Sequence, residues 1–300
     1  MTTERPTSLG VTAVPIFGAL AGIRAFLKAL SRKPLGVLGA VLVLFVLVVG
    51  VLAPVIAPYS PTEIHVSNRL MAPTLSHPLG TDALGRDVLS RLMFGAQNSL
   101  TVSFISVVTG MILGAAFGIV SGYFGGWFDF LFQRLMDMMQ SFPLLIMAMV
   151  IVALLGASTK NVIIAIAIVI IPGYNRVVRG ATLAVRNYDY ITAVHAVGAS
   201  HLRVMIRHIL PNISAPIVVL ATASFGGAIL TQASLTFLGL GASPTEPTWG
   251  GMLSVEGRAY WEQAPWLALF PGIAISLAVY GYNLLGDALR DIWDPTMRGR

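Results

Sequence analysis

The sequence predicts an all-α integral membrane protein of six transmembrane helices. Hydrophobic residues make up 56% of the 300-residue chain and charged residues 11%, against roughly 25% charged in an ordinary soluble domain. Charge-free windows run over 34–62, 92–128, 138–159, 161–175, 208–245 and 263–286, and about 20 apolar residues suffice to cross the hydrocarbon core. The nineteen Lys and Arg residues are unevenly placed: fourteen lie in 1–33, 123–141, 176–207 and 287–300, and five in the alternate segments. That bias places the fourteen-residue side, with both termini, in the cytoplasm.

Along the chain, residues 1–33 form an N-terminal tail in which Ile16, Leu20, Ile23, Leu27 and Leu30 repeat at helical spacing with Arg24 and Lys28 off the stripe. The pattern fits a helix lying on the cytoplasmic membrane face. The first span is too long for a secretory apolar core, and Pro58 directly after Ala57 makes a poor cleavage site, so it reads as a retained helix. In the outer loop, "GTDALGRD" (80–87) offers two readings. Asp82, Asp87 and Arg86 are a ligand site, or the glycines turn the chain and Asp87 caps the helix containing Arg91; capping explains the spacing better.

The second span carries Gly110, Gly114, Gly118 and Gly122 every four residues, a stripe that lets two backbones approach within the chain or across a subunit contact. The segment Gly122–Gly126 reads as its exit. The fourth window, "NVIIAIAIVIIPGY", is short, so Lys160 and Arg176 are expected to reach toward the two interfaces, and Pro172-Gly173 to bend the helix. On the fifth span Thr222, Ser224, Thr231, Gln232 and Ser234 are candidates to line a pathway, although helix-packing hydrogen bonds explain them equally well. Gly239–Pro247 reads as the next exit. Trp249, Trp261 and Trp266 stand near the outer ends of the last two spans, where an aromatic belt forms. The six-helix domain thus covers 34–286, followed by a cytoplasmic tail, 287–300.

Several function classes are excluded. The positive charge is scattered over four short segments and reads as a topology signal, so no nucleic acid is expected as a partner; membrane lipid is. There is no cysteine, hence no disulfide or thiolate site. Apart from His208 at the very start of the fifth window, none of the six windows holds Asp, Glu, Lys, Arg or His, which argues against an ion-coupled carrier or proton pump. No GxxxxGK[ST], HExxH or GxSxG occurs, so the chain has no phosphate-cradling loop and no familiar hydrolase motif. Neither a cofactor nor a metal is called for, and the chain is not expected to be an enzyme. Uphill transport through it needs energy from another chain. The competing reading is an ATP-independent channel or facilitated carrier.

One stretch departs from the oily background. "ITAVHAVGASHLRVMIRHILPN" (191–212) holds three histidines, two arginines, a central glycine and a proline. It predicts a helical hairpin over 187–211: Asp189 or Asn187 caps the first arm, Gly198 takes a left-handed turn, Ser200 caps the second arm and Pro211 stops it. Leu202, Met205, Ile206 and Ile209 make one apolar face of the second arm. Ala193 and Ala196 present small side chains away from the bilayer. So short a helix is marginal alone and needs something to dock into. The three histidines lie six and seven apart across a turn, not at metal-ligand spacing; His208 is expected to donate a bond fixing the hairpin against the fifth span.

This loop resembles that of ABC importer permeases, which carry a Glu-Ala-Ala triplet, a later glycine and a His-x-Leu-Pro-type ending. Here the corresponding residues are Thr192-Ala193-Val194, Gly198 and "HILPN" at 208–212, with Thr192 and Val194 in place of the Glu and the second Ala. "HPLGTDALGRDVLSRLMFGAQNSL" (77–100), "SLTFLGLGASPTEPTWGGML" (234–253) and "GDALRDIWDPTMRGR" (286–300) are similar to the second permease of the dipeptide/oligopeptide/nickel importers. The resemblance covers roughly residues 35–298.

It implies a type I ABC importer permease fold in a bacterial or archaeal cell (inner) membrane. It further implies that Thr192, Ala193, Ala196, Gly198, Ala199, Ser200, His208 and Pro211 belong to a coupling helix seated in a groove of an ATPase subunit. The implied partners are a homologous permease, two cytoplasmic ATPase subunits and an extracytoplasmic substrate-binding protein. The implied cargo is a peptide or a related small solute.

Overall fold

The computed structural model describes residues 28–241, 245–254 and 256–293. Among them no strand forms, and long helices build one bundle. The helices are α1 (Pro34–Ile56), α2 (Val88–Phe124), α3 (Gly126–Ser141), α4 (Leu144–Leu155), α5 (Thr159–Val185), α6 (Asp189–Ala196), α7 (His201–Val204), α8 (Ser214–Phe237), α9 (Trp249–Ser254), α10 (Glu256–Ala259) and α11 (Trp266–Trp293). Five helical stretches are long and apolar enough to cross a membrane, or six if α3 and α4 count as one broken span.

The centre of the bundle is α2. Its 37 residues make a rod of about 55 Å, well over the roughly 30 Å of a hydrocarbon core, so one end must project beyond it. Asp87 caps the start, accepting from the Ser90 N–H at 2.8 Å and from its hydroxyl at 2.7 Å. The glycine stripe faces α5: a Cβ on Gly114 would lie 2.6 Å from the Tyr174 Cβ, and one on Gly118 2.8 Å from the Asn175 carbonyl oxygen. Packing within the chain therefore accounts for the stripe. The other spans pack in series, α1 against α11, α11 against α8 and α8 against α5, with α1, α5 and α8 also lying against α2.

The third span differs from the expected helix over 138–159. The chain bends by 94° between α3 and α4 because Pro143 forces Phe142 into extended backbone, φ −87° and ψ 139°. The 12 residues of α4 rise only about 18 Å. The short fourth window lies within a continuous 27-residue helix, α5. Its charged end is balanced by α3: Arg179 makes a two-pronged pair with Asp129, 2.6 Å on each side, and Arg176 meets Asp137 at 3.0 Å. Pro172 is absorbed without interrupting α5.

At the end of the bundle where α2 begins, the "GTDALGRD" turn is a structural knot. Asp82 accepts from the Leu84 and Arg86 N–H groups, and its carboxylate pairs with the Arg86 Nε at 2.5 Å. Arg86 reaches on to Glu256 at 2.8 Å, and His77 bonds Asp87 at 3.0 Å. The capping reading of this motif holds. Burial pushes the Glu256 carboxyl above the usual range, and Asp82 adds to the rise. The tryptophans do not form one belt. Trp249 is 3% exposed, wedged over Gly95 with its indole N–H on the Leu92 carbonyl. Trp266 donates to the Thr81 carbonyl, and of these three Trp261 alone is exposed.

Of the apolar stripe expected from Ile16 to Leu30, the residues before 28 lie outside the described residues, and Leu30 is buried. The tail boundary at 286 falls inside α11, which continues to Trp293. The start of α1 and the end of α11 are adjacent: Lys33 pairs with Asp291 at 2.8 Å, and Gly36 lies against Ala288.

Candidate functional site

The hairpin stands at the far end of α2 from Asp87, the same end as Lys33 and Asp291. Its first arm, α6, ends in a Schellman closure. Gly198 donates to the His195 carbonyl at 2.9 Å and Ala199 to the Val194 carbonyl at 3.3 Å, with Gly198 left-handed at φ +82°. Ser200 then caps α7, accepting from the Arg203 N–H at 3.4 Å. Neither Asp189 nor Asn187 caps α6: Tyr188 holds that position without a side-chain bond, and Asn187 donates back to the Leu183 carbonyl.

Pro211 does not stop the second arm. From His201 the chain stays helical to Phe237, passing through a π segment, Met205–Ile209, and a 3₁₀ segment, Leu210–Ile213. Proline begins a helical segment without loss, because the first N–H groups have no partner anyway. The His208 carbonyl accepts from Asn212 Nδ2 at 2.7 Å and from the Tyr190 hydroxyl at 3.2 Å. These bonds tie α6 to the second arm. The His208 ring makes no hydrogen bond among the described residues, contrary to the expected role.

Apolar anchors hold the hairpin down. Ile191, Val204, Met205, Ile209 and Ile213 join Ala115 and Ile119 of α2 and Val178 and Val185 of α5 in one buried cluster. The expected apolar face is thus half right: Met205 and Ile209 are buried, while Leu202 and Ile206 are exposed and Val204 replaces them. The tip points outward. Thr192, Ala193, Ala196, Val197, Gly198 and Ser200 are exposed, Val197 at 84%.

Sequence spacing missed a contact beside the tip. Tyr123, at the end of α2, places its hydroxyl 2.8 Å from His195 Nε2 and 2.7 Å from His201 Nδ1. Nothing in the sequence connects residue 123 to partners more than seventy positions later. Arg186, at the end of α5, donates to the Gly122 and Tyr123 carbonyls. Among the described residues no group of three metal-ligating side chains forms.

The polar residues of α8 divide. Gln232 is 2% exposed and donates to Asn98 of α2 at 2.7 Å, so it faces the bundle interior and lines no open surface. Thr222, Ser224, Thr231 and Ser234 bond carbonyls one turn back on their own helix. They flank an open face on which Ala223, Gly227 and Leu230 are exposed. Ser224 borders a groove of about 570 Å³ with Gln140, Pro143, Met147, Gly173 and Tyr174. A side chain added at Gly173, Gly227 or Gly272 would meet nothing within 4 Å, so packing within this chain does not require these glycines.

Spans packed about one long rod, with an exposed helical hairpin at the rod's end, are the architecture of a polytopic permease. Residues 114–299 match the model of the binding-protein-dependent transport system inner membrane component, and residues 23–73 that of the N-terminal domain of oligopeptide transport permease C. The chain belongs to this family, the ABC importer permeases, and within it to the dipeptide/oligopeptide type.

It is 42% identical to the dipeptide transport system permease protein DppC of Alkalihalophilus pseudofirmus, over 94% of this chain and 92% of the relative. Identity to the glutathione transport system permease protein GsiD of Escherichia coli is also 42%, over 91% and 90%. The corresponding protein of Pectobacterium atrosepticum is 39% identical, over 92% and 91%. A chain of the MetNI methionine ABC transporter superposes with a TM-score of 0.53 at 19% identity, covering 68% of this chain and 96% of that one. That likeness concerns the fold. The chain is a multi-pass membrane permease component.

Proposed function

We propose that this permease forms, with a homologous permease, the pathway of an ATP-driven importer for peptides or a related small solute. Two ATPase subunits supply the energy, one of them seated on this chain's hairpin, and an external binding protein delivers the cargo. The observation that carries this reading is the hairpin itself: an exposed tip of small residues, closed by a left-handed glycine and anchored by apolar residues to α2 and α5. The residues proposed to meet the ATPase are Thr192, Ala193, Ala196, Gly198, Ala199 and Ser200; His208 and Pro211 shape the second arm behind them. The Lys and Arg distribution supports a cytoplasmic hairpin, with the adjacent ends of α1 and α11 on the same side.

ATP-driven closure of the ATPases moves the hairpins and rocks the bundles, alternating access. The open face of α8, with Thr222, Ser224, Thr231 and Ser234, is proposed to line the pathway together with the partner permease. Peptide cargo follows from the dipeptide and glutathione systems to which the relatives belong. Reconstitution tests the reading. The subunit alone should show neither ATP hydrolysis nor accumulation; with its partners, ATP-dependent uptake should persist after proton and sodium gradients collapse. Accumulation by the isolated subunit on an ion gradient would refute it.

A further inference from the structure

We propose that Tyr123 is a positioning residue for energy coupling: its hydroxyl clamps both arms of the hairpin to the end of α2, so that hairpin and rod move as one body. The proposal rests on the coupling role assigned above and adds the means by which motion leaves the hairpin. The apolar cluster around Ile191, Val204 and Ile209 holds the hairpin at its base. Apolar contact is non-directional, so an anchor of this kind fixes the hairpin's position more firmly than its orientation.

The Tyr123 bonds supply a second, directional attachment nearer the tip. His195 and His201 stand three residues before and three after Gly198, one on each arm. A phenol hydroxyl donates one hydrogen bond and accepts another, and a neutral imidazole offers one nitrogen of each kind. The 2.8 and 2.7 Å contacts can therefore both be satisfied at once. Rings reinforce the geometry: Tyr123 stacks on His195 with centroids 6.1 Å apart, and Phe124 meets His201 edge-on at 5.6 Å. On the other side Arg186 ties the last α2 carbonyls to the end of α5. Behind the clamp, the glycine-seamed contact of α2 with α5 carries displacement into the bundle as a rigid pair.

Tyr190 supplies the control. Its hydroxyl, on the first arm, bonds the His208 carbonyl and Asn212, holding the first arm to the exit of the second without a hydrogen bond to α2. The native chain has no cysteine, so spin labels at Val197→Cys and Ile112→Cys report the separation of tip and rod in the assembled transporter, given cysteine-free partners. In Tyr123→Phe the label-to-label distribution should broaden, and solute imported per ATP hydrolysed should fall about tenfold. Tyr190→Phe should leave the distribution narrow.

His201→Ala should behave like Tyr123→Phe, while His201→Asn, which keeps a polar atom near the Nδ1 position, should restore the narrow distribution. This pair decides the matter if Tyr123→Phe fails to assemble. An unchanged distribution and unchanged stoichiometry in Tyr123→Phe would overturn the clamp, as would equal broadening in both tyrosine variants. A wild-type complex without ATP-dependent uptake defeats the transport reading instead, and the distance measurement still judges the clamp.

Discussion

Substitution of Gly198 separates backbone shape from side-chain size. At φ +82° the residue occupies a region that costs an L side chain about 1–2 kcal/mol. An added Cβ meets nothing within 4 Å, so no steric clash contributes and the whole penalty is local. Asn tolerates this region better than other L residues, Ala bears the full cost, and a β-branched Val is worst placed. The order expected is therefore Gly, Asn, Ala, Val.

A 1–2 kcal/mol penalty shifts an equilibrium by about 5- to 30-fold. The Schellman turn of Gly198→Ala should open in that proportion, since only two backbone bonds close it. The assay is uptake and cargo-stimulated ATP hydrolysis in proteoliposomes holding the full complex, with complex yield measured in parallel. Loss should follow the series while assembly persists. Equal activity for Asn, Ala and Val would refute the requirement for a left-handed turn.

Three further outcomes follow from other parts of the chain. Single cysteines at Ser200 and Thr245, probed with an impermeant thiol reagent on intact cells, should label at 245 and not at 200; the reverse would invert the orientation. Gly118→Ala puts a Cβ 2.8 Å from the Asn175 carbonyl oxygen and 2.9 Å from the Val178 Cβ, so α2 and α5 must separate. A destabilisation of about 1–3 kcal/mol is expected in a thermal unfolding assay of the purified subunit, whereas Gly227→Ala, with open space around it, should be near neutral.

The third concerns Glu256, which has a raised folded-state pKa. The folded state therefore holds its proton to higher pH than the unfolded state does, so the stability contribution of Glu256 falls as pH rises through that window. The melting temperature of the wild type minus that of Glu256→Gln should decrease as the pH rises above the ordinary glutamate range. A flat difference would show that Arg86 fully offsets the burial.

Much of this protein was written in one dimension. The spans at α1, α2, α8 and α11, the Asp87 cap, the Gly198 turn and the Ser200 cap were legible, because each depends on runs or spacings of a few neighbouring residues. The glycine stripe was legible as a close-packing face, though not as to its partner. The sequence did not show the 94° break between α3 and α4, although Pro143 is its local cause, because a charge-free window conceals a change of direction.

Other features lie beyond any spacing rule. Pro211 looked like a stop, yet it sits at the start of a 3₁₀ segment where its missing N–H is tolerated, and the helix runs on. Gln232 looked like a pathway residue, yet packing turns it to Asn98, 134 positions away in sequence. Tyr123 drew no attention until folding set it between two histidines. Local backbone chemistry is fixed by adjacent residues and can be read from them. Which polar group a side chain finds is decided only when distant helices are brought within hydrogen-bond reach, and that requires the tertiary structure.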